Sequence, residues 1–315
     1  MSAVAATGRR GRQVSRCTLP RSSAFARALR RDTTVAATAV VLAVLAASAR
    51  GDLMKDSPVT FPEKGALPSK NPPGVRTWHE TPEPEYSMFG TPQRSPGQIA
   101  RIRAEMVKGA FAKPKPDWTN LARTRRVLRE GGELHVMAVG DSIVNDTMRS
   151  GWLADLAEAY PKARIRGTVY VRGGGGCQHY REEGRVAKHI VPRKPDLVLI
   201  GGISQKSVDD IREVIRQIRA GLPEVEVFLF TSGFGAADPR DDAELAKLRD
   251  PAGYAMSLKK LAAEERCAFL DMRTPWIEAM RSAGVHPHVF YRDRVHANEF
   301  GEQVLALILM EFWKP

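Results

Sequence analysis

Cysteine is scarce in this chain, three in 315 residues. That scarcity excludes a disulfide-stapled scaffold, and the spacing of Cys17, Cys177 and Cys267 suits neither a metal site nor a redox motif. Cys177 and Cys267 remain free to pair in an oxidising compartment or to stay thiols. Cys267, where a helical pattern meets an apolar run, reads as a small buried hydrophobe. Long apolar runs are also missing: the longest, 34–49, is about fifteen residues, short of the ~20 a membrane span needs. Acidic residues are nearly absent from the first fifty positions, where nine arginines face Asp32 alone. This stretch carries +8 of the formal +12, so the rest of the chain holds +4, an ordinary value. It has no basic stripe interleaved with aromatics, which excludes nucleic acid as a partner. No internal repeat occurs.

What is present begins with that basic stretch, which runs into the apolar segment and closes on Ala47-Ser48-Ala49. The pattern predicts a signal peptide and basic leader over 1–50, with cleavage near Ala49 and secretion or periplasmic export. Arg30-Arg31 allows a twin-arginine variant, and an uncleaved anchor is the alternative. No integral membrane domain is expected after cleavage. Residues 51–116 hold eleven of the 21 prolines. Proline fixes φ and removes a backbone donor, so no long helix or central strand fits most of this region; with Trp78, Tyr86, Met88 and Phe89 to bury, it reads as an extended arm around the domain that follows, a disordered spacer being the alternative. One helix fits within it, Pro96 to Ala112, capped by Ser95.

From 117 to 315 the pattern alternates. A helix is expected from Asp117 to Glu130. Strands are expected at 134–139, 164–171, 197–200, 225–230 and 268–271. Helices are expected at 146–159, 180–189, 207–220, 241–266 with a break at Asp250-Pro251, and 298–312. Short apolar strands alternating with helices imply a mainly parallel sheet covered on both faces. Right-handed crossovers then place every loop that follows a strand on one edge, where ligands bind.

Three segments reach that edge with chemistry. The first apolar strand ends in Gly140-Asp141-Ser142 just before a helical pattern, a geometry that presents a serine hydroxyl beside free N–H groups. Gly173-Gly174-Gly175-Gly176 follows the second strand. Near the end of the chain, Asp293 stands three residues before His296. An aspartate at that spacing can fix the imidazole tautomer and steady the cation formed when Nε2 takes a serine proton.

Together these pieces resemble the SGNH, or GDSL-type, hydrolases, serine esterases and lipases. The resemblance covers about 134–312 and implies a three-layer α/β/α flavodoxin-like fold. It implies Ser142 as nucleophile, with Asp293 and His296 completing the triad. It further implies an oxyanion hole from the N–H groups of Ser142 and Gly176. The family's third block carries an asparagine, but here the chain reads Gly201-Gly202-Ile203-Ser204-Gln205. The third donor role passes to Gln205, whose amide is the same group on a longer stem, with Ser204 as the alternative. The resemblance implies no metal and no cofactor.

The expected function is a secreted esterase acting on short acyl groups, above all acetyl, carried by a carbohydrate. The alternatives are an O-acyltransferase acting on a glycan and a non-catalytic glycan-binding relative. The glycine run lacks the Lys-Ser/Thr of a phosphate cradle, and no acid sits at the ribose distance. His286 and His288 lack accompanying carboxylates at ligand spacing. His179 is placed either to line the pocket or to stand in solvent, while Arg172 and Lys206 at the rim read first as solvated charges, with contact to an acidic group on a substrate as the alternative.

Overall fold

The computed structural model describes residues 86–90, 96–182, 184–233, 238–246, 251–292 and 295–314. The expected leader, most of the proline-rich arm and Asp293 lie outside the described residues. Six strands form one sheet: β1 (Tyr86–Gly90), β2 (Gly132–Gly140), β3 (Ala163–Arg172), β4 (Leu197–Ile200), β5 (Glu226–Phe230) and β6 (Ala268–Leu270), in the order β1-β3-β2-β4-β5-β6. The last five run parallel, and β1 joins the β3 edge antiparallel. Proline keeps strands to edges, and β1, inside the proline-rich region, is such an edge.

Strand alternation splits the core into two layers. Val136 and Ala138 of β2, Leu199 of β4 and Phe228 of β5 face one side. They pack there against Met148, Trp152, Trp276, Leu309, Phe312 and Trp313. Met137, Val139, Val198 and Leu229 face the other side, against Ile211, Val214, Ile218, Leu258 and Leu261. The architecture is therefore three-layer α/β/α. Its parallel strands take the flavodoxin-like order 2-1-3-4-5 when counted from β2, as expected from the alternating pattern and the resemblance. Cys177 and Cys267 are both buried free thiols on the second side, so they do not pair.

The helices depart from the sequence pattern at several ends. The expected helix 146–159 is two, α3 (Ser142–Arg149) and α4 (Trp152–Ala159), separated at Gly151, whose φ of 85° is left-handed. In the arm, α1 (Pro96–Glu105) stops well before Ala112. Helix α2 (Ala122–Glu130) begins after Leu121, because the Asp117 carboxylate is spent on the Thr119 N–H in a local turn. The expected helix 180–189 is the short turn α5 (Cys177–Tyr180) followed by a wide helical turn at Val186–Ile190. Helix α6 (Val208–Gly221) falls as expected, and the expected 241–266 is α7 (Asp242–Ala246) and α8 (Pro251–Glu264). Helix α9 (Arg273–Ser282) was not expected; α10 (Glu299–Trp313) was.

The described end of the arm lies against the domain. Arg103 forms a two-pronged pair with Asp155, and its Nε donates to Gln303 at 2.8 Å. Glu278 accepts the Ala112 N–H, and Ser282 donates to the Ala110 carbonyl. Among the described residues no helix is long and apolar enough to cross a membrane.

Candidate active site

The site begins with the end of β2. Asp141 caps α3: its Oδ1 accepts the N–H groups of Ile143 and Val144 at 3.0 and 3.4 Å. That cap starts the helix at Ser142 itself, four residues earlier than the periodicity suggests. It also leaves the Ser142 N–H, at the positive end of the helix, outside the cap's own bonds. Gly140 is glycine for space, since a Cβ there would sit 2.5 Å from Val144 Cγ2 and 2.6 Å from the Gly201 carbonyl oxygen.

The second Asp141 oxygen holds the loop after β4. Oδ2 accepts the N–H groups of Ile203 and Ser204, both at 2.7 Å. Burial pushes the Asp141 carboxyl up, and these hydrogen bonds, including one from the Ser204 side chain, pull it back. Gly202 makes the loop possible: its φ is +106°, and a Cβ would stand 2.7 Å from the Asp141 carboxylate.

Gln205 ties this loop to the one after β3. Its Nε2 donates to the Gly201 carbonyl at 2.7 Å, and its Oε1 accepts the Cys177 N–H at 2.8 Å. One N–H of the Gln205 amide is thus committed to the loop and the other is not counted among these bonds. Gly176 is packed so closely that a Cβ would lie 2.7 Å from the Ser204 carbonyl oxygen. The loops after β2, β3 and β4 are therefore laced into one rim where β2 meets β4, the switch point of this strand order.

His296 closes the site from the far end of the sequence. Its Nε2 lies 2.8 Å from Ser142 Oγ, although 154 positions separate them. Both residues are half-buried. The segment carrying His296 is a small hairpin: Tyr291 bridges Ala297, and the Arg292 N–H donates to the His296 carbonyl at 3.0 Å. Asn298 caps α10 through the N–H groups of Phe300 and Gly301.

Asp146 holds this hairpin, and the sequence reading did not single it out. It lies on α3 one turn after Ser142 and is fully buried. Its Oδ2 accepts the Ala297 N–H at 3.2 Å, and its Oδ1 accepts Arg292 Nη2 at 2.9 Å. Arg292 Nη1 donates in turn to the Ala297 carbonyl at 2.6 Å, so both the N–H and the carbonyl of Ala297, the residue after His296, are gripped. Burial lifts the Asp146 carboxyl to about 6. Arg292 pulls the other way, Glu302 adds to the rise, and Arg149 and His296 oppose it. Tyr180 is a second brace outside the sequence reading, its buried hydroxyl donating to the Gly140 carbonyl at 2.5 Å. Neither brace has a local signal, because each partner is distant in sequence.

The remaining expected residues sort as follows. His179 pairs with Arg172, whose Nη1 is 2.6 Å from Nε2, at the glycine-run rim. His286 lies 3.8 Å from Asp238 and belongs to a different loop. Ser204 spends its N–H and its side chain on Asp141.

No protein-family model matches the chain, and no curated protein sequence matches it. Its structure is similar to solved structures described as a GDSL-like lipase and as acetylxylan esterases. One is described as a GDSL-like lipase from Parabacteroides merdae, 18% identical, TM-score 0.48, covering 58% of this chain and 96% of that one. Another is an acetylxylan esterase from Geobacillus stearothermophilus, 19% identical, TM-score 0.47, covering 59% and 98%. A third is a two-domain esterase active on acetylated mannans, 14% identical, TM-score 0.49, covering 65% of this chain and 54% of that one.

Proposed function

We propose that this chain is an exported serine esterase that removes short acyl groups, above all acetyl, from a carbohydrate. The observation that carries the reading is the 2.8 Å contact between His296 Nε2 and Ser142 Oγ at the rim of the sheet. In this mechanism His296 takes the Ser142 proton as the oxygen attacks the ester carbonyl. The carbonyl oxygen becomes an anion, held by the N–H groups of Ser142 and Gly176 and by the Gln205 amide. As that anion collapses and the bond between the acyl carbon and the sugar oxygen breaks, His296 gives the proton to the departing sugar oxygen; water, activated by the same imidazole, then attacks the acyl-serine and releases acetate, and Ser142 regains its proton. Asp293 is assigned the orienting role on His296. Export rests on the basic leader and apolar run of residues 1–50.

p-Nitrophenyl acetate turnover tests the reading. Wild type is expected to hydrolyse it, and Ser142→Ala to lose at least about a thousandfold in kcat. Equal rates in the two proteins would remove Ser142 from the chemistry.

A further inference from the structure

Beside the Ser142 rim lies a cavity of about 470 Å³, within the range of about 300–1,000 Å³ typical of small-molecule sites. It shares Gly202, Ser204 and Gln205 with that rim, and Gly174 of the glycine run lines it too. Its described lining includes two cations, Lys206 and Arg273, and no acid. Tyr254, on α8, lines it as well, and among the described residues its buried hydroxyl has no hydrogen-bond partner.

Among the described residues the nearest acids stand behind the lining, and their oxygens are held by the protein. Asp141 lies behind the Gly202 wall, with its oxygens occupied by four backbone N–H groups. Asp271, next to Arg273, is spent on the hydroxyls of Thr231 and Thr274 and on the Arg273 backbone N–H. On the neighbouring rim, His179 is held below its usual value first by burial. Arg172, Lys206 and Arg185 add to that depression, and Glu182 alone opposes it. A neutral glycan gains little from such a field. A carboxylate gains charge-assisted hydrogen bonds from a guanidinium, an ammonium and a phenol together.

We infer that this cavity binds the carboxylate of an acidic sugar next to the acylated one, so that the preferred substrate is an acylated polyuronate-type glycan. Arg273 and Lys206 supply the counter-charge and Tyr254 a hydrogen bond, while the ester sits over Ser142. The inference rests on the esterase reading for its chemistry but not for its binding.

Two measurements separate them. The first is kcat/KM on acetylated oligogalacturonate and on acetylated xylo-oligosaccharide. Wild type is expected to favour the acidic substrate by about tenfold or more, a ratio that shrinks in roughly 0.5 M salt. Arg273→Gln and Lys206→Gln are each expected to cut the ratio about fivefold or more. The second is calorimetric binding of unacetylated oligogalacturonate and xylo-oligosaccharide to Ser142→Ala, with and without Arg273→Gln. Acidic-selective binding that Arg273→Gln abolishes supports the cavity assignment, even where no ester is cleaved and the esterase reading falls. Equal affinity for both oligosaccharides, or acidic binding that Arg273→Gln leaves unchanged, overturns it even if acetate is released. Should Arg273→Gln fail to fold, as judged by circular dichroism, the exposed Lys206→Gln decides by the same criteria.

Discussion

Ser142 depends on what its neighbour does with two oxygens. Asp141 spends one on the helix that presents the serine and the other on the loop that carries Gln205. Asp141→Asn replaces one acceptor with a donor facing N–H groups, which leaves buried donors unsatisfied. The expected cost is about 2–4 kcal/mol in urea unfolding, with a larger loss of activity than of folded protein. At Gly202 a Cβ meets both a left-handed φ and the Asp141 carboxylate. Gly202→Ala is therefore expected to lower the unfolding midpoint, whereas Gly174→Ala, with open space around it but also a positive φ, is expected to cost less. Removing the Gln205 amide (Gln205→Leu) is expected to reduce kcat by ~10² or more and Ser204→Ala by less, because the Ser204 side chain already serves Asp141.

The elements explain which parts of this site could be seen in advance. Strands β2, β4 and β5 and the helix α6 announce themselves by local apolar runs and periodicity, and the serine turn and the His296 segment by short motifs. Helix α9 escaped because Thr274-Pro275 reads as a breaker, although proline is tolerated in a first helical turn. The break between α3 and α4 escaped because a glycine inside a helical pattern is usually absorbed. The Asp146 clamp was illegible for a different reason: Arg292 and Ala297, its partners, stand about 150 positions away, and only the closed layers bring them together. Asp146→Asn keeps the shape but removes the charge facing Arg292. It is expected to loosen the His296 hairpin and lower kcat on the order of ten- to a hundredfold, with KM little changed.

The same residue sets a pH signature. Folded Asp146 keeps its proton to about 6, while the unfolded chain releases it near 3.8. Its contribution to stability is full below about pH 4 and lost as pH rises to about 6. On acidification from 6 to 4, Asp146→Asn is therefore expected to lose ground against wild type in urea titrations across that range. His135 works in the opposite sense. Burial first, then Arg166, hold it at about 4 against an ordinary 6.5. The folded state refuses a proton that the unfolded chain takes up, so this contribution is lost as pH falls from about 6.5 to 4.

At the scale of the whole molecule, five parallel strands bring three loops to one rim, and the far end of the chain returns across the sheet to meet them. The described part of the arm reinforces that return, because Arg103 grips Asp155 of α4 and Gln303 of α10 together. Gln303 also donates to the Ser150 carbonyl at the α3–α4 junction, so the arm reaches the helix that bears Ser142. Arg103→Ala is expected to lower stability by about 1–3 kcal/mol, read as a drop in Tm.

The central claim is that an imidazole near the end of the chain activates a hydroxyl at the start of α3. Intact-mass and peptide mapping after treatment with a fluorophosphonate probe tests it most directly. A single adduct on Ser142 that disappears in His296→Ala is the expected result. No adduct in a folded wild-type protein, or labelling of Ser142 that is equally fast in His296→Ala, would contradict it.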